Sequence, residues 1–142
     1  MRPRLLLLAL LLPAPLGCGG SGVAPVSGRV TLNDKPLANV HVSFQPIAPP
    51  GKVVAGGGSY AITDADGRFT LRLVDGERPG AVDGSHRVEF TARDAPDDDT
   101  DRRGKAPASK VTIPPRYGRT SELTFEVPRG GTRDANFPLT SK

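Results

Sequence analysis

The sequence predicts an all-β protein built as a single sandwich of about seven strands, and three observations lead there. Apolar and polar residues alternate with period two through seven stretches after residue 25, which is the mark of half-buried strands. Seventeen glycines and fifteen prolines among 142 residues are well above ordinary usage, so the chain turns often and long helices are disfavoured. The five phenylalanines fall in five different stretches, always on the apolar side, as expected of a packed sandwich interior. No helical period is found after Leu16.

In the first stretch Val26, Gly28, Val30 and Leu32 share one face, and Ser27, Arg29 and Thr31 the other. In the second, Val40, Val42 and Phe44 alternate with His41, Ser43 and Gln45. A shorter third piece is expected to turn Tyr60 and Ile62 inward. Phe69, Leu71 and Leu73 alternate with Arg68, Thr70 and Arg72; Val88, Phe90 and Ala92 alternate with Arg87, Glu89 and Thr91. Leu123, Phe125 and Val127 alternate with Glu122, Thr124 and Glu126, and Ala135, Phe137 and Leu139 close the chain. Phe44, Phe69, Phe90, Phe125 and Phe137 are therefore the expected core anchors. Turn-forming residues separate the stretches at 33–36, 64–67, 79–84 and 128–131. The charged, proline-bearing run Asp94–Lys110 holds no apolar side chain larger than alanine apart from its prolines, and it is expected to be solvated and mobile.

The first residues differ from all of this. Met1 to Arg4 is short and basic, Leu5 to Leu12 is an unbroken apolar run, and Pro13 to Gly17 leads to Cys18. This is the layout of an export signal, and the run is far too short for a membrane span, which takes roughly 20 residues. Leu16-Gly17-Cys18-Gly19 resembles the lipobox of bacterial lipoproteins, although Pro15 stands where that family usually has leucine. The resemblance implies cleavage before Cys18, a diacylglycerol thioether on its sulfur, and two or three acyl chains, a stable anchor where one chain is marginal. Cys18 is the only cysteine, so an internal disulfide is excluded. The expected organisation is a signal over 1–17, a lipidated tether over 18–25 and one domain over 26–142. In the lipoprotein pattern an aspartate after the cysteine favours retention at the inner membrane. Gly19 stands there instead, which implies the outer membrane.

The domain itself resembles the carboxypeptidase-regulatory-like family. The residues that carry the resemblance are Val26-Ser-Gly-Arg-Val-Thr-Leu32, Lys35-Pro-Leu-Ala-Asn-Val40, Val42-Ser-Phe44-Gln-Pro46 and, most specifically, Thr63-Asp-Ala-Asp-Gly-Arg-Phe69. Gly80-Ala-Val82, His86-Arg-Val88, Ile113-Pro-Pro-Arg-Tyr117 and Ser121-Glu-Leu-Thr-Phe-Glu-Val127 follow. The resemblance covers nearly all of residues 25–140. It implies a Greek-key-type, transthyretin-like (prealbumin-like) β-sandwich without enzymatic activity.

Candidate sites are few. Asp64-Ala-Asp-Gly67 begins like a calcium loop, but the chain then runs straight into a strand. A hairpin turn is the expected reading, with calcium on Asp64 and Asp66 the competing one. His41 and His86, the only histidines, have no ligand or nucleophile partner nearby in sequence; both are expected at the surface. Gly56-Gly57-Gly58 lacks the Lys-Ser/Thr of a phosphate loop. The net charge of +4 falls to +2 once Arg2 and Arg4 leave with the signal, and no aromatic residues interleave the bases, so a nucleic-acid partner is not indicated. The expectation is a non-enzymatic envelope lipoprotein with no cofactor. It would be held to the membrane through Cys18 and contact an envelope protein or a glycan. The alternatives are an accessory domain of an envelope enzyme or transporter, pairing through an open strand edge, or a small-ligand or glycan-binding module.

Overall fold

The computed structural model describes residues 22–51, 53, 57–76, 78–93 and 112–142. In chain order it holds β1 (Val23–Ala24), β2 (Ser27–Leu32), β3 (Lys35–Pro36), β4 (Val40–Pro46), β5 (Ser59–Ile62), β6 (Arg68–Thr70), β7 (Arg72–Leu73), β8 (Ala81–Val82), β9 (Gly84–Ala92), β10 (Thr124–Val127) and β11 (Phe137–Leu139). The one helical element described is a 3₁₀ turn at Pro115–Tyr117.

Two sheets make the sandwich. One is antiparallel throughout, in the order β10-β9-β4-β5-β7. In the other, β2 lies beside β11 in parallel, with Phe137 opposite Val30, and pairs antiparallel with β3 and β6. β1 and β8 form a small antiparallel pair at one end. Side chains alternate across a strand, so Val40, Val42 and Phe44 of β4 and Val88 and Phe90 of β9 all enter the interior, each at most 1% exposed. Val30, Phe69, Phe137 and Leu139 meet them from the second sheet.

The phenylalanines are dispersed in sequence but gathered in space. The Phe137 ring lies 6.0 Å from Phe44, 6.2 Å from Phe69, 5.3 Å from Phe90 and 5.6 Å from Phe125, centroid to centroid. Three of these contacts are edge-on, the geometry that the ring quadrupole favours. Phe44, Phe69, Phe90 and Phe137 are buried as expected. Phe125, on the edge strand β10, is half-buried and packs against the core from outside.

Four sequence expectations need correction. Tyr60 and Ile62 point outward. Ser59 and Ala61 are buried instead, because they stand opposite the inward Phe44 and Val42. A polar Ser59 and a small Ala61 hide that inward face from a reading based on apolar bulk. The stretch 68–73 is two strands: β6 pairs with β2 and β7 with β5, so the chain changes sheets at Leu71, whose N–H donates to Val26 O just before β2. The tether does not extend to residue 25, since Val23 and Ala24 pair with Val82 and Ala81, and Ala24 is buried. Finally, His86 is 1% exposed rather than at the surface. β9 begins at Gly84, which places His86 on the same face as Val88 and Phe90.

The turns follow their residue chemistry. Asn33 and Asp34 both take positive φ, 48° and 65°, between the paired Leu32 and Lys35. That is the two-residue hairpin that strand twist favours. Gly67 takes φ 72°, and a Cβ there would stand 2.3 Å from Val30 O, so only glycine lets the turn lie against β2.

Candidate functional site

The Asp64–Gly67 turn closes on itself. Asp64 Oδ1 accepts from the N–H of Asp66 at 2.9 Å and of Arg68 at 2.8 Å, and Asp64 O accepts from Gly67 N–H. Arg29 Nε donates to Asp66 O at 2.8 Å, binding the turn to β2. The Asp64 carboxylate therefore serves the backbone of its own turn, as short acidic side chains do. Among the described residues no group of three or more His, Cys, Asp or Glu is placed to hold a metal ion.

The two histidines occupy opposite faces of the large sheet. His86 faces inward, its ring 5.7 Å from Phe44. Its Nδ1 lies 2.9 Å from Gly84 O. A carbonyl can only accept, so Nδ1 carries the proton. Nε2 is then the lone-pair nitrogen, buried without a hydrogen-bond partner among the described residues, as is the Ser59 hydroxyl. Burial lowers the His86 pKa below the ordinary 6.5, against smaller opposing effects of the Gly84 hydrogen bond and the Glu126 charge. This ring is a neutral core residue closed off from solvent.

His41 faces outward and stacks on Tyr60, with ring centroids 5.6 Å apart and planes 9° from parallel. Around this pair the outer face is a polar comb. Ser43 lies between Tyr60 and Glu89, and Gln45 beside Arg87, which in turn pairs with Thr124. Arg87 and Glu89 form an ion pair at 3.0 Å. At the end of the sheet Ser85 Oγ donates to Glu126. An open cleft between Gln45, Ile47, Arg87, Ser121 and Thr124 borders this face. The comb offers hydrogen-bond donors and acceptors and charges of both signs. Sequence reading placed His41 and the polar partners here but sent Tyr60 inward.

The late stretch Ile113–Tyr117 finishes the second sheet. Arg116 Nη2 donates to the carbonyl and, at 2.7 Å, to the hydroxyl of Thr140, just past β11. Tyr117 OH accepts from Thr140 N–H at 3.3 Å, and the Arg116 guanidinium lies 4.8 Å from the Tyr117 ring centroid. Hydrogen bonds from Thr140, with Arg116 beside them, hold the Tyr117 hydroxyl below its ordinary value. These side chains satisfy backbone groups where β11 ends, which helps close a sheet terminus against unwanted pairing.

Cys18, the run Leu5–Leu12 and the charged segment Asp97–Lys105 lie outside the described residues. Among the described residues no helix is long and apolar enough to cross a membrane. Comparison with protein-family models, with curated proteins and with solved structures finds no match to this chain.

Proposed function

We propose that this protein is a lipid-anchored envelope lipoprotein whose β-sandwich presents a binding surface and carries out no catalysis. The observation that carries the proposal is the junction Leu16-Gly17-Cys18-Gly19 directly after an apolar run of signal length, a few residues before β1. A lone cysteine in an exported protein is a reactive liability, and thioether formation removes it. The domain reading is the carboxypeptidase-regulatory-like, transthyretin-like sandwich. Its support is the Thr63–Phe69 segment, which forms the turn that carries the chain from β5 in one sheet to β6 in the other, together with the Lys35–Val40 and Ile113–Tyr117 segments. The partner on this reading is an envelope protein or glycan received by the outer face around His41 and Tyr60. The predicted location is the outer membrane.

Metabolic labelling tests the anchor. Cells fed an alkyne palmitate analogue should yield a tagged full chain that fractionates with the membrane. Cys18→Ala should be untagged and released. A Cys18→Ala chain that stays tagged and membrane-bound would falsify the lipoprotein reading.

A further inference from the structure

Four large apolar side chains are markedly exposed among the described residues: Ile47 at 43%, Val53 at 96%, Ile62 at 41% and Val74 at 64%. Single exposed apolar residues are ordinary, but three of these four share one end of the sandwich. Ile47 follows β4, and its N–H donates to Ser85 O; two residues before Ser85, Asp83 N–H donates to Gly22 O. Val53 belongs to the same connection between β4 and β5. Val74 opens the turn after β7, and its N–H donates to Gly58 O, the carbonyl just before β5. That turn returns through Gly80 to lie against Ala24 of β1. Ile47 and Val74 therefore lie around the point where the chain enters the domain, and Val53 belongs to the connection that Ile47 opens.

Chain geometry brings that point close to Cys18. Four residue steps separate Cys18 from Gly22, a span of at most about 14 Å even when fully extended. We propose that this end of the sandwich docks on the bilayer surface, with Ile47, Val53 and Val74 entering the interface as apolar tips. The proposal rests on the lipid-anchored reading above for its source of the tether. Tethering makes the contact intramolecular, so small apolar tips suffice where they would not recruit a free protein. Arg78, Arg129 and Arg133 are exposed at the same end, but Asp75, Asp83 and Asp134 stand among them, and Asp83 pairs with Arg129 at 3.5 Å. The charges nearly balance, so the occupant is the bilayer interface itself and not specifically an anionic headgroup. The docking would fix the orientation of the molecule, with the Asn33–Asp34 and Asp64–Gly67 turns pointing away from the membrane and the His41–Tyr60 face standing upright beside it.

The protein contains no tryptophan, so one introduced tryptophan is a unique reporter. Full-length chains carrying Ile47→Trp, Val53→Trp or Val74→Trp, and Lys35→Trp at the opposite end, are expressed, purified from membranes and reconstituted into phosphatidylcholine vesicles containing brominated phosphatidylcholine. Mass spectrometry of the N-terminal peptide reads acylation at Cys18 independently. Where the thiol is free, the same protein is coupled through it to maleimide-bearing lipid before measurement, so the docking is tested even if the lipoprotein reading fails. Several-fold stronger quenching and a blue shift at positions 47, 53 and 74, relative to 35, are expected. Adding Ile47→Asp and Val74→Asp should bring the Val53→Trp signal down to that of Lys35→Trp. Equal quenching at all four positions would overturn the proposal.

Discussion

The two ends of the sandwich are made from the same turn-forming residues and treat water in opposite ways. At the end away from Gly22, the Asn33–Asp34 and Asp64–Gly67 turns are exposed and polar, and the side chains of Asn33 and Asp64 are engaged with backbone. Asp64 holds two N–H groups, while Asn33 Oδ1 accepts from Ser141 N–H at 3.0 Å. At the end where Gly22 leads into β1 the connections carry exposed Ile47, Val53 and Val74, and the polar groups beneath are less well satisfied. Asp83 Oδ1, His86 Nε2 and Ser59 Oγ are buried there or close by, without hydrogen-bond partners among the described residues. A turn that only reverses the chain in water is built from its own hydrogen bonds. The Gly22 end departs from that rule on both counts, and such departures tend to mark function.

The largest expected effect tests what the ends share. Phe137→Ala removes the ring that joins four others across the two sheets, and it should cost about 3–5 kcal/mol, the range for large-to-small core changes. Urea denaturation measures it, and a loss below about 1 kcal/mol, typical of a surface site, would mean that the aromatic hub does not hold the sheets together. Gly80→Ala acts at the Gly22 end. Gly80 has φ 119°, and a Cβ there would stand 2.3 Å from Ala24 O. A cost of about 1–3 kcal/mol is expected, as for other strained backbone positions. Amide exchange should quicken at β1 and β8 while the Asp64–Gly67 turn is unchanged; uniform quickening would show that β1 is not a separate unit.

Asp64→Ala acts at the opposite end and should cost about 1–2 kcal/mol, from two hydrogen bonds of modest net worth. Its partner Asp66 bonds through its backbone, so Asp66→Ala should cost much less, and equal costs would contradict the turn geometry. Stability should also depend on pH through His86. Its native pKa lies below the unfolded value of 6.5. Below pH 6.5 the unfolded chain therefore binds a proton that the native chain resists, and stability falls by at most about 1.4 kcal/mol per pH unit. The decline ends once the pH drops below the native pKa. His86→Phe should flatten this part of the profile, and an unchanged slope would remove His86 as its cause. The smallest expected effect is none: Tm should be the same in EDTA and in millimolar calcium. A rise in calcium, lost in the Asp64→Ala/Asp66→Ala chain, would make the turn a binding site by mass action.

Most of the strand positions were legible in the sequence because period-two alternation directly reports a strand with one buried face. Val40 to Phe44 and Val88 to Phe90 read correctly for that reason, as does the inward parity of Phe69, Leu71 and Leu73, though not the break at Leu71. The inward face of β5 was not legible, because Ser59 and Ala61 carry no apolar bulk and only pairing with Phe44 and Val42 turns them in. His86 shares the parity of Val88 and Phe90, so the signal was present. It was masked because a histidine at a strand start is ordinarily solvated. Short strands such as β1 and β8 have too few residues for any period, and they exist only because residues 23–24 and 81–82 meet in the fold.

By itself the sequence determined that this chain is all-β, where it turns, which five rings would anchor a core, and that Cys18 follows an apolar run of signal length. Those features depend on neighbours within a few residues, through steric limits on φ and the alternation of side chains. Tertiary structure alone decided that four rings converge on Phe137, that His86 is enclosed, that Tyr60 stacks on His41 at the outer face, and that Ile47 and Val74 come together near the entry to the domain. Each of these depends on strand register and on the stacking of two sheets, which bring together residues tens of positions apart. Local preference cannot specify such meetings, because they follow from burying many side chains at once.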